Sequence, residues 1–389
     1  MYRAIFINLF CGGAAIPRLT RASLSAAGLL VLFFLNLGSQ AYADTVAPFV
    51  MPSARFAALG GNHTAVGDNF YSLFTNPASF VDVNAQFSAS ELSISTYGPV
   101  LEMLDLYMGS DFENMQFGHL ISNAGFAVGF ELGGPIALGW VGRGFGFGVF
   151  NRISTTASIS GTYIRPHLLG DILLVGGYSY RLFDRENHYI DAGILGKIFF
   201  RGLIDLKAPV LQYEQIFDDY ENSSIGACLG IGVDLGVRYT FRENFAAALV
   251  CFDPFSPVLI NDTVTVSNLS SPFALVSRRL DFGTRYKLQN DFLDRYISGM
   301  VFMADYRDVL SFLQAIPRNP ILNIGLGVEI KMLNVLTLRL GIGDALPSVG
   351  FGLELSFMIM DFAIRGKELG LDPGIQPVYG FDLGFLFRY

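Results

Sequence analysis

From Ala227 to Phe241 the chain alternates without a break. The odd positions are Ala227, Leu229, Ile231, Val233, Leu235, Val237, Tyr239 and Phe241; the even ones are Cys228, Gly230, Gly232, Asp234, Gly236, Arg238 and Thr240. A period of two places the two sets on opposite faces of a strand, one apolar and one small or charged. The same split recurs for Leu322, Ile324, Leu326, Val328 and Ile330 against Asn323, Gly325, Gly327, Glu329 and Lys331, and for Leu336, Leu338, Leu340 and Ile342 against Thr337, Arg339, Gly341 and Gly343. Phe282, Tyr286 and Leu288 oppose Arg279, Asp281, Arg285 and Lys287. Tyr379, Phe381, Leu383, Phe385, Phe387 and Tyr389 share a face at the end of the chain, against Gly380, Asp382, Gly384 and Arg388. The predicted strands are about 9–15 residues long, adequate for a tilted membrane span. Turn signals at Asp184–Asn187 and Arg242–Asn244 separate them.

One early stretch, Ala54–Phe80, does not alternate. Small residues (Ala57, Ala58, Gly60, Gly61, Ala65, Gly67) precede aromatic ones (Phe70, Tyr71, Phe74, Phe80). Small residues allow close backbone approach, and Pro77 pushes Asn76 out of helical geometry, so Asn76-Pro77-Ala78 forces a turn. A compact non-strand segment ahead of a long β region predicts a plug for the strands C-terminal to it.

Composition narrows the class of sheet. Of 389 residues, 51% are hydrophobic and only 15% charged, with 43 glycines and 36 phenylalanines. A soluble domain carries about a quarter charged residues. The net charge of −8 disfavours nucleic acid as a partner. Residues 1–43 read as a secretory leader: Arg3, Arg18 and Arg21 precede the apolar run Ala26–Leu37, and Ala41-Tyr42-Ala43 fits a cleavage site before Asp44. The alternative is an uncleaved anchor, because Ala22–Ala43 is uncharged and just long enough to span. After Asp44 no apolar run approaches the ~20 residues of a spanning helix. An apolar exported chain without such helices has a closed β-barrel as its membrane solution. A soluble barrel or sandwich with a dry core also alternates; the leader, the low charge and the aromatic strand ends favour the membrane barrel.

Gly61, Ala65, Asp68 and Asn76-Pro77-Ala78, with Ser53-Ala54-Arg55 leading into Ala58-Leu59-Gly60-Gly61, resemble the N-terminal hatch of FadL-type outer-membrane transporters, in the PorV-like and spirochaetal FadL-like branch. Leu338-Arg339-Leu340-Gly341, Asp361-Phe362-Ala363, Glu368-Leu369-Gly370 and the closing Phe387-Arg388-Tyr389 resemble the family's C-terminal end. The expected organisation is all-β: a transmembrane antiparallel β-barrel of about 14 strands, with 1–43 a signal peptide, 44–80 a hatch in the lumen and 81–389 the barrel. The resemblance implies passive uptake of hydrophobic molecules, long-chain fatty acids above all, with a lateral exit, in the outer membrane of a diderm bacterium. The candidate ligand and gate residues are Gly61, Asp68, Phe70, Phe74, Asn76, Pro77, Ala78, Gly144 and Gly146. Asn76-Pro77-Ala78 is expected to pack on the glycine series Gly142, Gly144, Gly146 and Gly148 in one early strand region, the two forming the exit; the alternative is that these glycines only give the plug room. Expected partners are the ligand, outer-membrane lipid and, through the last strand, the insertion machinery. A PorV-like carrier of secreted or surface proteins is the alternative; a general porin is disfavoured because a filled lumen obstructs water.

No catalytic constellation is present: there is no Gly-x-Ser-x-Gly elbow, no His-Glu-x-x-His and no phosphate loop. The four histidines are scattered, so no metal site, cofactor or enzymatic activity is expected. Cys228 and Cys251 are expected to stay free: a turn near Arg242 sets Cys251 opposite Asp234, about 20 Å along the strand from Cys228. Long connections at Gly98–Asn114, Gly202–Ser223 and Ser256–Ser271 belong outside the cell by the barrel rule, and Pro99–Met108 is a candidate short helix. Arginine at Leu326 or Leu338 is expected to cost about 2–4 kcal/mol at mid-bilayer, and little at Gly327.

Overall fold

The structure, a computed structural model, describes residues 45–46, 48–99, 127–160, 163–206, 208–209, 224–264, 275–288, 297–313, 317–332 and 335–388. The leader, the candidate helix after Pro99, most of the three long connections and Tyr389 lie outside the described residues. Fourteen strands form one antiparallel ring. They are β1 (Gln86–Tyr97), β2 (Ala127–Gly142), β3 (Phe145–Ser160), β4 (Tyr163–Arg185), β5 (His188–Asp205), β6 (Ser224–Phe241) and β7 (Phe245–Phe255) in the first half. The second half is β8 (Arg279–Leu288), β9 (Ile297–Tyr306), β10 (Ile324–Met332), β11 (Leu336–Gly343), β12 (Leu346–Glu354), β13 (Met358–Glu368) and β14 (Pro377–Arg388). Each strand pairs with its chain neighbour, and β14 returns to β1 with Phe385 opposite Leu92, which closes the ring and leaves no edge.

Two-residue turns at 143–144 and 186–187, and a slightly longer one at 242–244, join strands at the end where β1 starts and β14 finishes. Arg143, Glu186, Asn187, Arg242 and Glu243 take positive φ there, the twist that tight hairpins require. The connections at 98–126, 206–223 and 256–278 all leave from the opposite end. Two of the predicted outer connections begin as strand: Gly202–Asp205 continues β5, and Val258–Val264 runs antiparallel to the start of β6. The stretch Val258-Leu-Ile-Asn-Asp-Thr-Val does not alternate, so periodicity gave no sign of it.

The period-two reading holds residue by residue on β6. Ile231 and Val237 point outward and are exposed, while Cys228, Asp234, Arg238 and Thr240 point inward and are buried. Ile172, Leu174, Ile194, Ile198, Phe200, Leu326, Leu338 and Leu340 extend the same exposed apolar belt around the ring. Phe145, Phe147, Tyr178 and Tyr180 add aromatic rings to it near the short-turn end, with Phe145 and Tyr178 in contact across β3 and β4.

Four expectations change. Leu322 belongs to a 3-10 turn, Pro320–Asn323, and is buried, not outward. Gly142 ends β2 and Gly144 lies in the hairpin turn; only Gly146 and Gly148 lie within β3. Cys251 stands opposite Leu235, one position from Asp234, and both thiols are free and buried. Gly327 is not open lumen: a Cβ there would lie 2.8 Å from the Leu59 carbonyl and from His63 Nε2.

The crowding at Gly327 can be measured. Leu338→Arg should destabilise by about 2–4 kcal/mol through its lipid-side position, and Gly327→Ala by about 1–3 kcal/mol through overpacking against the plug. Gly176→Ala, on the outer face with nothing within 4 Å, should stay within about 0.5 kcal/mol. Equilibrium unfolding of the reconstituted barrel measures all three, and a neutral Gly327→Ala would place the plug elsewhere.

Candidate functional site

The plug fills the lumen from Phe49 to Ala85 as two short helices, α1 (Ala54–Ala58) and α2 (Ser72–Thr75), followed by a 3-10 turn over Pro77–Val81. Helix α1 is too short to hold itself in water; the wall holds it. Ala54 and Ala58 pack on Ala363 of β13. Gly60 and Gly61 then turn with φ of 77° and 133°, and a side chain at Gly60 would run into the Ile342 carbonyl. Only glycine fits there.

Arg55, buried on α1, makes the central polar contact. Its Nη1 and Nη2 donate to both Asp68 oxygens at 2.9 and 2.8 Å, and its Nε and Nη2 donate to both Glu329 oxygens at 2.9 Å. Glu329 also accepts from Arg339 Nε (2.8 Å), and Arg339 Nη1 donates to Asp361 (2.5 Å). Burial works against the charge of Arg55, but Asp68 and Glu329 outweigh it and hold its pKa well above the ordinary arginine value. Fork-to-fork pairs of this kind fix orientation as well as charge. Ser53-Ala54-Arg55 and Ala58–Gly61 therefore meet Leu338–Gly341 and Asp361–Ala363 in one contact. Two stretches almost 300 residues apart, each legible as a motif, are the two sides of the plug seat.

Nearby, Tyr71 Oη donates to Glu91 Oε1 at 2.6 Å, tying the plug to β1. Burial first, and the Glu91 carboxyl second, hold the Tyr71 phenol well above its ordinary value, so it stays a donor. Among the described residues no donor reaches the second Glu91 oxygen. His63, also buried, bonds Asp305 at 2.6 Å and the Leu59 carbonyl at 2.9 Å.

Part of the opposite side of the lumen is apolar, bordered by the buried ion pairs of Arg152, Asp171 and Arg201 and of Lys197 and Asp234. Phe150, Leu173, Val175, Leu195 and Phe199 point inward from β3, β4 and β5, and Phe70, Leu73 and Phe80 of the plug bury against them. Phe74 meets Phe150 edge to face at 4.6 Å and Phe49 at 6.2 Å. Such ring pairs add about 0.5–1.5 kcal/mol beyond burial. Gly146 makes room for Leu73 and Phe80, and Gly139 for Phe70. Next to this cluster the wall is irregular: the β1–β2 register shifts between Ser88 and Ser93, and the β2–β3 register between Gly133 and Ala137. Gly134, at φ 87°, lies against the Glu91 carbonyl, and Met51 and Pro52 cover Gly133 from inside.

Asn76-Pro77-Ala78 seats elsewhere than expected. Asn76 Oδ1 accepts from Ala78 N and its Nδ2 donates to the Thr64 carbonyl, both at 2.9 Å, which folds the turn. Side chains at Gly193 of β5 or Gly236 of β6 would collide with Pro77 or Asn76, so the triplet rests on those glycines. What reaches the β3 glycines is Leu73 and Phe80, with Gly144 N donating to the Phe80 carbonyl at 3.0 Å. Just beyond, Asp82 bonds both Arg181 and Arg238, which share Asp191. The candidate residues thus divide: Gly61 and Asp68 lie on the charged side, Phe70, Phe74, Gly144 and Gly146 on the apolar side, and Asn76, Pro77 and Ala78 on the β5–β6 floor. Arg55, Glu329, Arg339 and Tyr71 were absent from that set. Their signals were the arginine inside a run of small residues, the inward parity of Glu329 and Arg339, and the place of Tyr71 in the aromatic run.

Two cavities of about 390 Å³ each flank α1, and the upper one reaches across to Glu131 of β2 and Arg152 of β3. The upper one, toward the long-loop end, is lined by Arg307, Arg365, Lys367, Asp344 and the Gly60–Gly61 turn. The lower one, toward the short-turn end, is lined by Arg55, Asp68, Lys287, Lys331 and Glu354.

No family model matches the chain. No curated protein matches it. Among solved structures it is similar to the toluene transporter TodX of Pseudomonas putida (14% identity over 88% of this chain and 98% of that one, TM-score 0.46). It is also similar to the toluene transporter TbuX of Ralstonia pickettii (11%, 89% and 98%, 0.47) and to a FadL homologue of Pseudomonas aeruginosa (12%, 89% and 99%, 0.43).

The seat of the triplet is open to test. Gly236→Ala should dislodge the plug floor at a cost of about 1–3 kcal/mol and raise its cleavage by added protease, whereas Gly196→Ala, whose nearest neighbour is 3.6 Å away, should leave the cleavage rate at the wild-type value.

Proposed function

We propose that this chain is an outer-membrane channel of a diderm bacterium that passes hydrophobic small molecules, long-chain fatty acids foremost, through a plugged barrel. The observation that carries the reading is the apolar cluster between plug and wall. Phe150, Leu173, Val175, Leu195 and Phe199 point inward as one patch, where a water-filled pore would carry polar groups throughout, and the ion pairs of Arg152, Asp171 and Arg201 border that patch. The exposed apolar belt outside supports a membrane setting, and the long connections then face outward and the short turns the periplasm. Each methylene moved from water into such a lumen gains about 0.8 kcal/mol, so a chain of a dozen or more carbons binds without any charge contact.

In this reading the ligand displaces Phe70 and Phe74 from the Phe150 cluster. It leaves sideways at the register break of β1, β2 and β3, one strand earlier than the glycine series implied. Gly144 and Gly146 hold the plug edge beside that break, Gly61 and Asp68 anchor its far side, and Asn76-Pro77-Ala78 is the floor it pivots on. The last strand, apolar on its outer face, is the segment offered to the insertion machinery.

Equilibrium binding of a radiolabelled long-chain fatty acid to the purified protein tests this, with a neutral hydrocarbon as second probe. Leu173→Arg should lower the affinity for both at least tenfold. If only the hydrocarbon binds, the fatty-acid assignment fails; if neither binds saturably, the channel reading fails.

A further inference from the structure

The charged side of the lumen is unused by a hydrophobic route, and it is built differently. The two cavities lie one above and one below α1, both lined by charged side chains. What separates them is one five-residue helix and the turn after it. Phe56 and the Gly60–Gly61 turn close the upper cavity from below, and Arg55 and Tyr71 close the lower one from above. Helix α1 touches the wall through small side chains, Ala54 and Ala58, through the Ala58 carbonyl, which accepts from Ser348 Oγ at 3.0 Å, and through two hydrogen bonds of Arg55 to Glu329, while the other two Arg55 bonds go to Asp68 of the plug. An apolar filling would hold through area; here the one charged tie of α1 is a guanidinium bridging the plug's own Asp68 to Glu329 of β10, beside the Ser348–Ala58 hydrogen bond.

We propose that the two cavities are the halves of a second, aqueous route past α1, closed by that helix and latched by Arg55, which passes small hydrophilic solutes when the latch opens. Charged walls keep water in both halves, so moving α1 joins two wet spaces and exposes no dry one. Phe70, Phe74 and Phe150 pack on the other side, and α1 meets that cluster through Phe56 on Tyr71, 5.4 Å apart, so the aromatic packing loses this one ring contact when α1 moves. The route is independent of hydrophobic uptake, and either can exist without the other.

The structure supplies a reversible lock for the test. A Cβ at Gly384 of β14 would lie 3.7 Å from the Ala54 Cβ, the spacing of a disulfide. Single-channel conductance in potassium chloride and liposome swelling with a monosaccharide are measured on the whole protein in lipid bilayers. The wild type should be nearly closed, and Arg55→Ala should raise both signals at least tenfold. Adding Ala54→Cys and Gly384→Cys should return the oxidised protein to the wild-type level, and reductant should reopen it. Glu329→Gln, which keeps Arg55 and Asp68 in place, should open partially and guards against a variant that fails to fold, with the heat-dependent gel shift of an intact barrel checked for each. An unchanged conductance in both latch variants with intact barrels overturns the proposal, as does a raised conductance that persists with the tether formed.

Discussion

A ring of fourteen strands satisfies its own backbone but leaves a lumen wider than its wall side chains can fill. That mismatch between wall and lumen governs the rest of the molecule. Every inward position must meet water, a partner charge or the plug, and the plug must match whatever the wall presents. Along β10, β11 and β13 the wall presents Glu329, Arg339 and Asp361, and the plug answers with Arg55. Along β3, β4 and β5 it presents Phe150, Leu173 and Phe199, and the plug answers with Phe70, Leu73 and Phe74. One short segment is thus held by two kinds of force, directional on one side and area-proportional on the other. Removing one partner of a buried ion pair costs about 3–5 kcal/mol, while a ring withdrawn from the aromatic side loses only its own burial.

Much of this was legible in the chain. Alternation on β6, β8, β11 and β14 determined which residues face inward, because a one-residue slip would turn every side chain over. The small-residue run and Asn76-Pro77-Ala78 marked a non-strand segment, and it is the plug. What alternation cannot tell is which strands stand side by side across the lumen. Asp361 and Glu329 are both inward acids by pattern, yet their shared partner, Arg339, emerges only when β10, β11, β12 and β13 are placed in order. The triplet was assigned to the wrong glycines for the same reason. Glycines at Gly146, Gly193 and Gly236 are equal as letters, and the path of the plug decides which one each residue meets. Gly327 is a related case: a lumen-facing glycine reads as empty space, but here it is where the plug touches the wall.

The Glu368-Leu369-Gly370 motif shows a local cause for another recognisable sequence. The Glu368 carboxylate accepts from the backbone of Gly370, Gly374 and Gln376 at 2.7–2.9 Å, so one side chain folds the whole connection from β13 to β14. Arg318 ties the same point to the neighbouring connection by donating to the Glu368 carbonyl. A glutamate at that place specifies a loop conformation and has no need of a ligand.

The seam between β14 and β1 carries a consequence for biosynthesis. Its partners, such as Leu92 and Phe385, lie nearly the whole barrel apart in the chain. Contacts of such separation form late, since the loop they close has the greatest entropy to lose. The plug precedes β1 and yet is bonded to β6, β10 and β12, so it must already lie among the strands when the first and last of them meet. A ring that shut early would exclude it. Assembly therefore has an order, with the plug gathered in by its charges and rings while the wall is still an open sheet.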